Sequence, residues 1–379
     1  MKRIFLGCSF LSLVAMRAWG DAVEDGNVSY RQGDWDGAIT NYSKAIDQNP
    51  NSNVAYYDRG MAKKAKHDLA GAITDYSKAI ELKRDHPNYY LNRGNAKAAN
   101  GDQAGAIADY SQAIELKPDS WQAYFQRASV ECKSGKNWET LLVTDAVAEQ
   151  MAAALADYSK TIELNPGLAE AYLDRGYLRC LQSRFDPANS GSTKINLDSA
   201  IADYTKAIEL QPTNANAYCL RGIAKNTQGD PDGGLADFNQ SIQLDPANLK
   251  ARFNRGVARV SQRDWDGAFT DFSRAKALKP DRDEVAQINL NLSRIYCARA
   301  QDKYVKDDAD GSFADLNQAI ELDPTNAESY RNRGIIEQRK HDYKSAAADY
   351  TKALELDPSD SNLRKSLDKI KKHLKKIAP

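Results

Sequence analysis

The sequence predicts an all-α fold of stacked helix pairs, on three observations. A small residue, preceded by arginine in every copy but the first, recurs nine times, at Gly26, Gly60, Gly94, Ala128, Gly176, Gly222, Gly256, Ala300 and Gly334, with a spacing of 34 wherever no insertion intervenes. Twelve residues after most anchors stands a second small residue, such as Ala38, Ala72, Ala106, Ala268 or Ala346, and four further on a ring such as Tyr42, Tyr76, Tyr110, Phe272 or Tyr350. Eight units close on a proline, from Pro50 to Pro358, and only the second departs, with Arg84 in that place and Pro87 three residues on. A repeat of this period means one array of units, not the two or three domains that about 100 to 200 residues per domain would suggest.

Residues 1–20 come first and read as a secretory signal. Met1, Lys2 and Arg3 make a basic start, Ile4 to Met16 an uncharged and mostly apolar stretch of thirteen, and Ala18-Trp19-Gly20 a small-x-small cleavage pattern. Thirteen falls short of the roughly 20 residues that span a bilayer, which favours cleavage over an anchor. Cleavage after Gly20 takes Lys2, Arg3 and Arg17 from a chain of 52 basic and 52 acidic residues, a net of −3.

Nine units follow, over 19–52, 53–86, 87–120, 121–168, 169–214, 215–248, 249–282, 293–326 and 327–360. Each holds two helix-length segments, for example Val54 to Lys66 and Leu69 to Leu82, joined by a turn that carries Gly33, Gly101, Gly135 or Gly229 in four copies. Such a glycine can take the left-handed conformation that ends a helix. The small residues let the paired backbones approach, the ring fills the remaining gap, and proline stops the second helix. One pair cannot bury its apolar face alone, so neighbours stack into a solenoid.

Three insertions and a cap complete the chain. Asn137 to Ala153 carries Leu141, Leu142, Val143, Val147 and Met151 and is apolar enough for a helix, Asp186 to Ser192 reads as a loop, and Asp283 to Leu292 lengthens the first helix of repeat eight. Residues 361–379 form a basic capping helix, with Leu363, Leu367, Ile370, Leu374 and Ile377 on one stripe.

The period, the small and aromatic marks and the closing proline together resemble the tetratricopeptide repeat family, over residues 19 to 360. The resemblance implies a right-handed superhelical solenoid of nine helix-turn-helix repeats, with a concave groove lined by the first helices. It further implies that residues three before, two before, one after and four after each anchor face that groove. The candidate partner-binding residues are then Tyr57, Leu91, Phe125 and Phe253 in the first set, Asp58, Asn92, Gln126, Asp174, Asn254 and Asn332 in the second, and Met61 and Tyr177 in the third. Extended-peptide binders of the family use an asparagine ladder in the second set, which Asn92, Asn254 and Asn332 match and Leu220 and Ala298 interrupt. The family's clamp for a terminal carboxylate needs lysine three before and asparagine one after an anchor. Here Asn27 and Asn95 face Val23 and Leu91, so the clamp is missing.

Eight repeats also place arginine one before the anchor and aspartate fifteen after it, insertions apart: Arg59/Asp75, Arg93/Asp109, Arg127/Asp157, Arg175/Asp203, Arg221/Asp237, Arg255/Asp271, Arg299/Asp315 and Arg333/Asp349. The first repeat has Asp25 and Asn41 and so lacks both members, which points to a structural clamp between helices more than to a recognition ladder.

Little in the chain points to catalysis. The four histidines, His67, His86, His341 and His373, are scattered, no metal ligand set or phosphate loop is evident, and Cys132 and Cys180 sit on neighbouring repeats as small fillers. The reading is a non-enzymatic, secreted or periplasmic scaffold without cofactor or metal that binds protein or peptide. The balanced charge disfavours nucleic acid. An alternative is an accessory envelope-assembly subunit whose Lys-rich last helix docks on an anionic membrane surface. An enzyme would need a pocket built by the insertions near Trp138 and Phe185.

Overall fold

A computed structural model describes residues 20–134, 145–185 and 190–377, and all regular secondary structure among them is helical. The chain forms two compact units, Met1–Leu210 and Gln211–Pro379. The first holds α1 (residues 20–31), α2 (Trp35–Gln48), α3 (Asn53–Ala65), α4 (Leu69–Leu82), α5 (Pro87–Ala99), α6 (Gln103–Leu116), α7 (Trp121–Ser134), α8 (Asp145–Leu164), α9 (Ala169–Phe185) and α10 (Ser190–Leu210). The second holds α11 (Ala215–Gln228), α12 (Pro231–Leu244), α13 (Leu249–Ser261), α14 (Trp265–Ala277), α15 (Arg282–Val305), α16 (Ala309–Leu322), α17 (Ala327–Arg339), α18 (Tyr343–Leu356) and α19 (Ser361–Ile377).

Each of the seven described turns within a pair has one left-handed residue. Gly33, Gly101 and Gly229 supply it at φ of 77°, 89° and 94°, and in the equivalent turns His67, Arg263, Asp307 and His341 adopt the same conformation at 59° to 66°. The next residue is the N-cap of the second helix, as where Asp68 accepts from the Gly71 amide at 2.9 Å. Gly135 lies outside the described residues.

Inside a pair the anchor glycine faces the ring of the second helix. A Cβ on Gly60, Gly94 or Gly334 would stand 2.8, 2.7 or 2.6 Å from Tyr76, Tyr110 or Tyr350. In repeat eight the anchor is Ala300, and its partner shrinks to Leu316 in the same cluster.

The charge pairs are clamps between paired helices, and six of them also hold the preceding second helix. Arg59 donates from Nε and Nη2 to Asp75 across the pair at 2.9 and 2.8 Å, and from Nη1 to Ser43 of the preceding second helix at 3.0 Å. The two-pronged bond recurs in all eight pairs. The backward bond reaches Ser77, Ser111 and Ser159 in the first unit and Asn239 and Asn317 in the second. Two further parts escaped the sequence reading. In seven repeats a tyrosine three residues earlier, such as Tyr56 or Tyr330, lies under the guanidinium. A second cation four residues later, among them Lys63, Lys97, Arg179, Lys225, Arg259 and Lys303, closes on the same aspartate.

The insertions extend helices. α15 is one helix of 24 residues, as expected, opened by a capping box between Asp281 and Glu284. The first insertion adds turns to α8, where Met151 is buried and Val147 packs beside it, while Leu141, Leu142 and Val143 lie outside the described residues. The expected loop is corrected at its end: Ser190, Gly191 and Ser192 begin the 21-residue α10. Small polar residues are tolerated in a first turn, where amides have no partner within the helix. Asp186 to Asn189 and Trp138 lie outside the described residues. In α19, Leu363, Leu367 and Ile370 are buried against Ala346, Tyr350 and Ala353 of α18, with Leu374 beside them. The apolar stripe is thus part of the core, and Lys365, Lys369, Lys371, Lys372, Lys375 and Lys376 are left exposed. Among the described residues no helix is long and apolar enough to cross a membrane.

Candidate partner-binding face

First helices touch their counterparts within each unit, α3 with α5 and α5 with α7, and α11 with α13, α13 with α15 and α15 with α17. They therefore present a common face. Its floor is made by the hydroxyls of the second-helix tyrosines, which pass the anchors and end among first-helix side chains. Tyr42 donates to Asn27 at 2.8 Å, Tyr110 to Asn95 at 3.0 Å, Tyr158 to Asp174 at 3.2 Å and Tyr350 to Gln338 at 2.9 Å. Tyr204 reaches Cys180 Sγ at 3.7 Å. Where Ile223 or Val257 follows the anchor, the ring is Phe238 or Phe272 and has no hydroxyl to satisfy. The phenols are raised by burial, with nearby acids adding to it.

The residues named from the sequence divide by what they touch. Tyr57 stacks on Tyr89 at 4.8 Å and Tyr76 at 5.7 Å, Phe125 meets Tyr158 edge-on at 5.8 Å, and Phe253 meets Phe272 at 5.4 Å. Leu91 packs with Tyr110 and Val130, Met61 with Tyr76, and Tyr177 with Met151 and Tyr158. These apolar members join repeats together.

The asparagines are partly engaged as well. Asn92 donates to Tyr57 at 2.8 Å and to the Asn88 carbonyl, Asn254 to the Lys250 carbonyl at 2.8 Å, and Asn332 to Cys297 Sγ at 3.5 Å. Asp174 accepts the Tyr158 hydroxyl. Gln126 lines a hollow of about 360 Å³ with Lys64, Asn95, Gln103, Tyr110 and Ser129. Asp58 is half-buried without a hydrogen bond or ion pair, and burial pushes its carboxyl up to about 6.

Two carboxyls sit where the other repeats hold the clamp's second cation. Glu131 and Glu337 are buried beside Asp157 and Asp349, and burial, with those aspartates adding to it, pushes each up to about 7. The four described cysteines form no disulfide, Cys219 and Cys297 being buried and the others half-buried. Among the described residues no three His, Cys, Asp or Glu side chains gather into a metal-binding set.

Family comparison matches the repeats directly. Residues 26–66, 62–101, 94–135 and 196–229 match a TPR repeat profile, and 219–283 and 327–360 match tetratricopeptide repeat profiles, together more than half of the chain. No curated protein matches. Among solved structures the chain is similar to YrrB, described as a TPR protein with an unusual peptide-binding site, at 22% identity and a TM-score of 0.44, over 55% of this chain and 95% of that one. It is also similar to a tetratricopeptide repeat protein from Parabacteroides merdae, at 16% identity and a TM-score of 0.48, over 72% of this chain and 97% of that one. A third is pilF of Pseudomonas aeruginosa, at 16% identity and a TM-score of 0.49, over 63% and 96%. From its repeated helix pairs and these matched segments, the chain belongs to the tetratricopeptide repeat family.

Proposed function

We propose that this protein is a non-catalytic interaction scaffold that binds an extended peptide or a partner's helix on its first-helix face, in an extracytoplasmic compartment after cleavage following Gly20. Family membership supports the scaffold role. The observation that carries the binding site is the hollow over α3, α5 and α7, lined by Gln126 and Ser129, whose side chains make no hydrogen bond among the described residues. Such a surface offers both hydrogen-bond donors and acceptors to a peptide backbone.

The apolar members of the candidate set hold neighbouring repeats together, so alanine at Tyr57, Phe125 and Phe253 would test folding more than binding. A random-peptide library panned against the purified protein, compared with the Gln126→Arg/Ser129→Arg double variant, separates the two. Peptides selected on the parent are expected to bind the variant at least about tenfold more weakly, about 1.4 kcal/mol, at unchanged Tm. Equal binding would place the partner site elsewhere. For location, N-terminal sequencing after export in a secreting host should read from Asp21, and an intact Met1 would overturn the signal reading.

A further inference from the structure

Asp58, Met61 and Lys64 stand three residues apart on α3, so Met61 neighbours both charges on the helix surface. Asp58 and Lys64 are both half-buried, and neither side chain makes a hydrogen bond or an ion pair among the described residues. This contrasts with the clamps, where the Asp75 and Asp109 side chains, 3% and 5% exposed, are each met by an arginine and a lysine. The two side chains stand about 9 Å apart along the helix axis and do not pair with each other. Each charge is desolvated without a partner, an arrangement that costs folding free energy and that a ligand of opposite charge would relieve.

The floor beneath shows the same lack of a partner. Tyr76 is fully buried and its hydroxyl has no hydrogen-bond partner, because Met61 stands where Asn27 and Asn95 serve Tyr42 and Tyr110. The charge of Asp58 acts on Tyr42, Tyr57, Tyr76 and Tyr89, one ring from each of four consecutive helices, so its surroundings are aromatic. A carboxylate among aromatic rings is suited to a guanidinium or ammonium group, which pairs with the acid, lies against the rings and can donate to a phenol oxygen. Two turns along, Lys64 opens on the hollow with Gln126 and Ser129, and burial holds its ammonium below the ordinary lysine range.

We infer that the second repeat selects a bipolar peptide segment, setting an arginine or lysine side chain against Asp58 and a carboxylate against Lys64. The inference rests on the first-helix face being the peptide site and adds the chemistry that this face selects.

Met61 lies between the two charges and makes them observable, since the chain has only four methionines, of which Met151 is buried between repeats four and five and serves as a control. The full-length protein with ¹³C-methyl methionine is titrated with acetyl-Arg-Glu-amide and with the analogues carrying citrulline for arginine or glutamine for glutamate. The Met61 methyl should shift saturably while Met151 stays, and each neutral analogue should bind about tenfold more weakly. Asp58→Asn should erase the preference for arginine over citrulline alone, and Lys64→Gln the preference for glutamate over glutamine alone, with neither variant lowering Tm. A still Met61, equal binding of an analogue, or a preference that survives its variant would overturn the inference. Library peptides that lose binding to Gln126→Arg/Ser129→Arg but not to Asp58→Asn or Lys64→Gln would retire the bipolar site and leave the face standing. A library without binders would retire the face, whatever the dipeptide does.

Discussion

Arg255 uses its guanidinium in three directions. Nε and Nη2 donate to Asp271, which is fully buried, and Nη1 donates to Asn239 at 2.7 Å, while Arg259 holds the same aspartate at 2.8 Å. Removing one partner of a buried pair leaves a charge without its countercharge, so Arg255→Ala should destabilise by about 3 kcal/mol, with Arg259 moderating the loss. Chemical denaturation checks it, and an unchanged midpoint would mean that the clamp is ornamental. Gly94 is a second sensitive residue. Its missing Cβ leaves room for the Tyr110 ring at 2.7 Å, so Gly94→Ala should cost about 1 to 3 kcal/mol by overpacking, and Gly94→Ala/Tyr110→Leu should recover part of it, since the Ala300 and Leu316 pair uses that combination.

At the scale of the element, most first helices carry the clamp as a short program: tyrosine, arginine three residues later, then a second cation four after that, with Arg252 in the tyrosine place of α13 and Glu131 in the cation place of α7. α17 breaks it at Glu337, which stands where α3, α5, α9, α11, α13 and α15 have lysine or arginine. The Glu337 carboxyl is buried beside Asp349 and its pKa is about 7, because burial and that neighbour both oppose ionisation. Glu337→Lys should complete the clamp and raise stability at pH 8 by about 1 to 3 kcal/mol. A lower Tm for this variant would show that the site needs the acid. Arginine, aspartate, anchor and ring were legible because they recur at fixed offsets. The tyrosine under the arginine and the second cation recur less strictly, since Arg252 replaces the tyrosine in α13 and Glu131 and Glu337 replace the cation in α7 and α17. That neither Asp58 nor Glu337 is met by a cation could not be read from sequence, since pairing depends on which helices pack against them.

Across the whole molecule the raised acids set the response to pH. Asp58, Glu131 and Glu337 have folded values near 6, 7 and 7, above their ordinary ranges, so between about pH 4 and 7 the folded state binds more protons than the unfolded one. Stability from these groups is therefore lost as pH rises through that window. Asp310, Asp315, Asp342 and Asp357 are shifted the other way, by hydrogen bonds to Lys340, Ser345 and Ser359 and, for the buried Asp315, by Arg299 and Lys303 against desolvation. Their contribution fades on acidification below about pH 4. Tm should peak near pH 4, and Asp58→Asn/Glu131→Gln/Glu337→Gln should flatten the decline toward pH 8 in differential scanning fluorimetry. A flat parent profile would contradict the assignment. The fold class and the even charge balance were legible over this scale, since eight clamps pair arginine with aspartate; the division into two units was not, because the repeat pattern continues through it.

The backward bond found in six clamps gives each run of repeats a direction. Arginine reaches the second helix of the preceding repeat, at Ser43, Ser77 or Ser111, so a unit brings its own fastener for the neighbour before it and offers a fresh socket to the one after. A 34-residue copy spliced between repeats two and three would find both fittings already in place. Lengthening by duplication thus requires no new chemistry at the joint, whereas reversing the order of two repeats would leave fasteners facing surfaces that were never drilled.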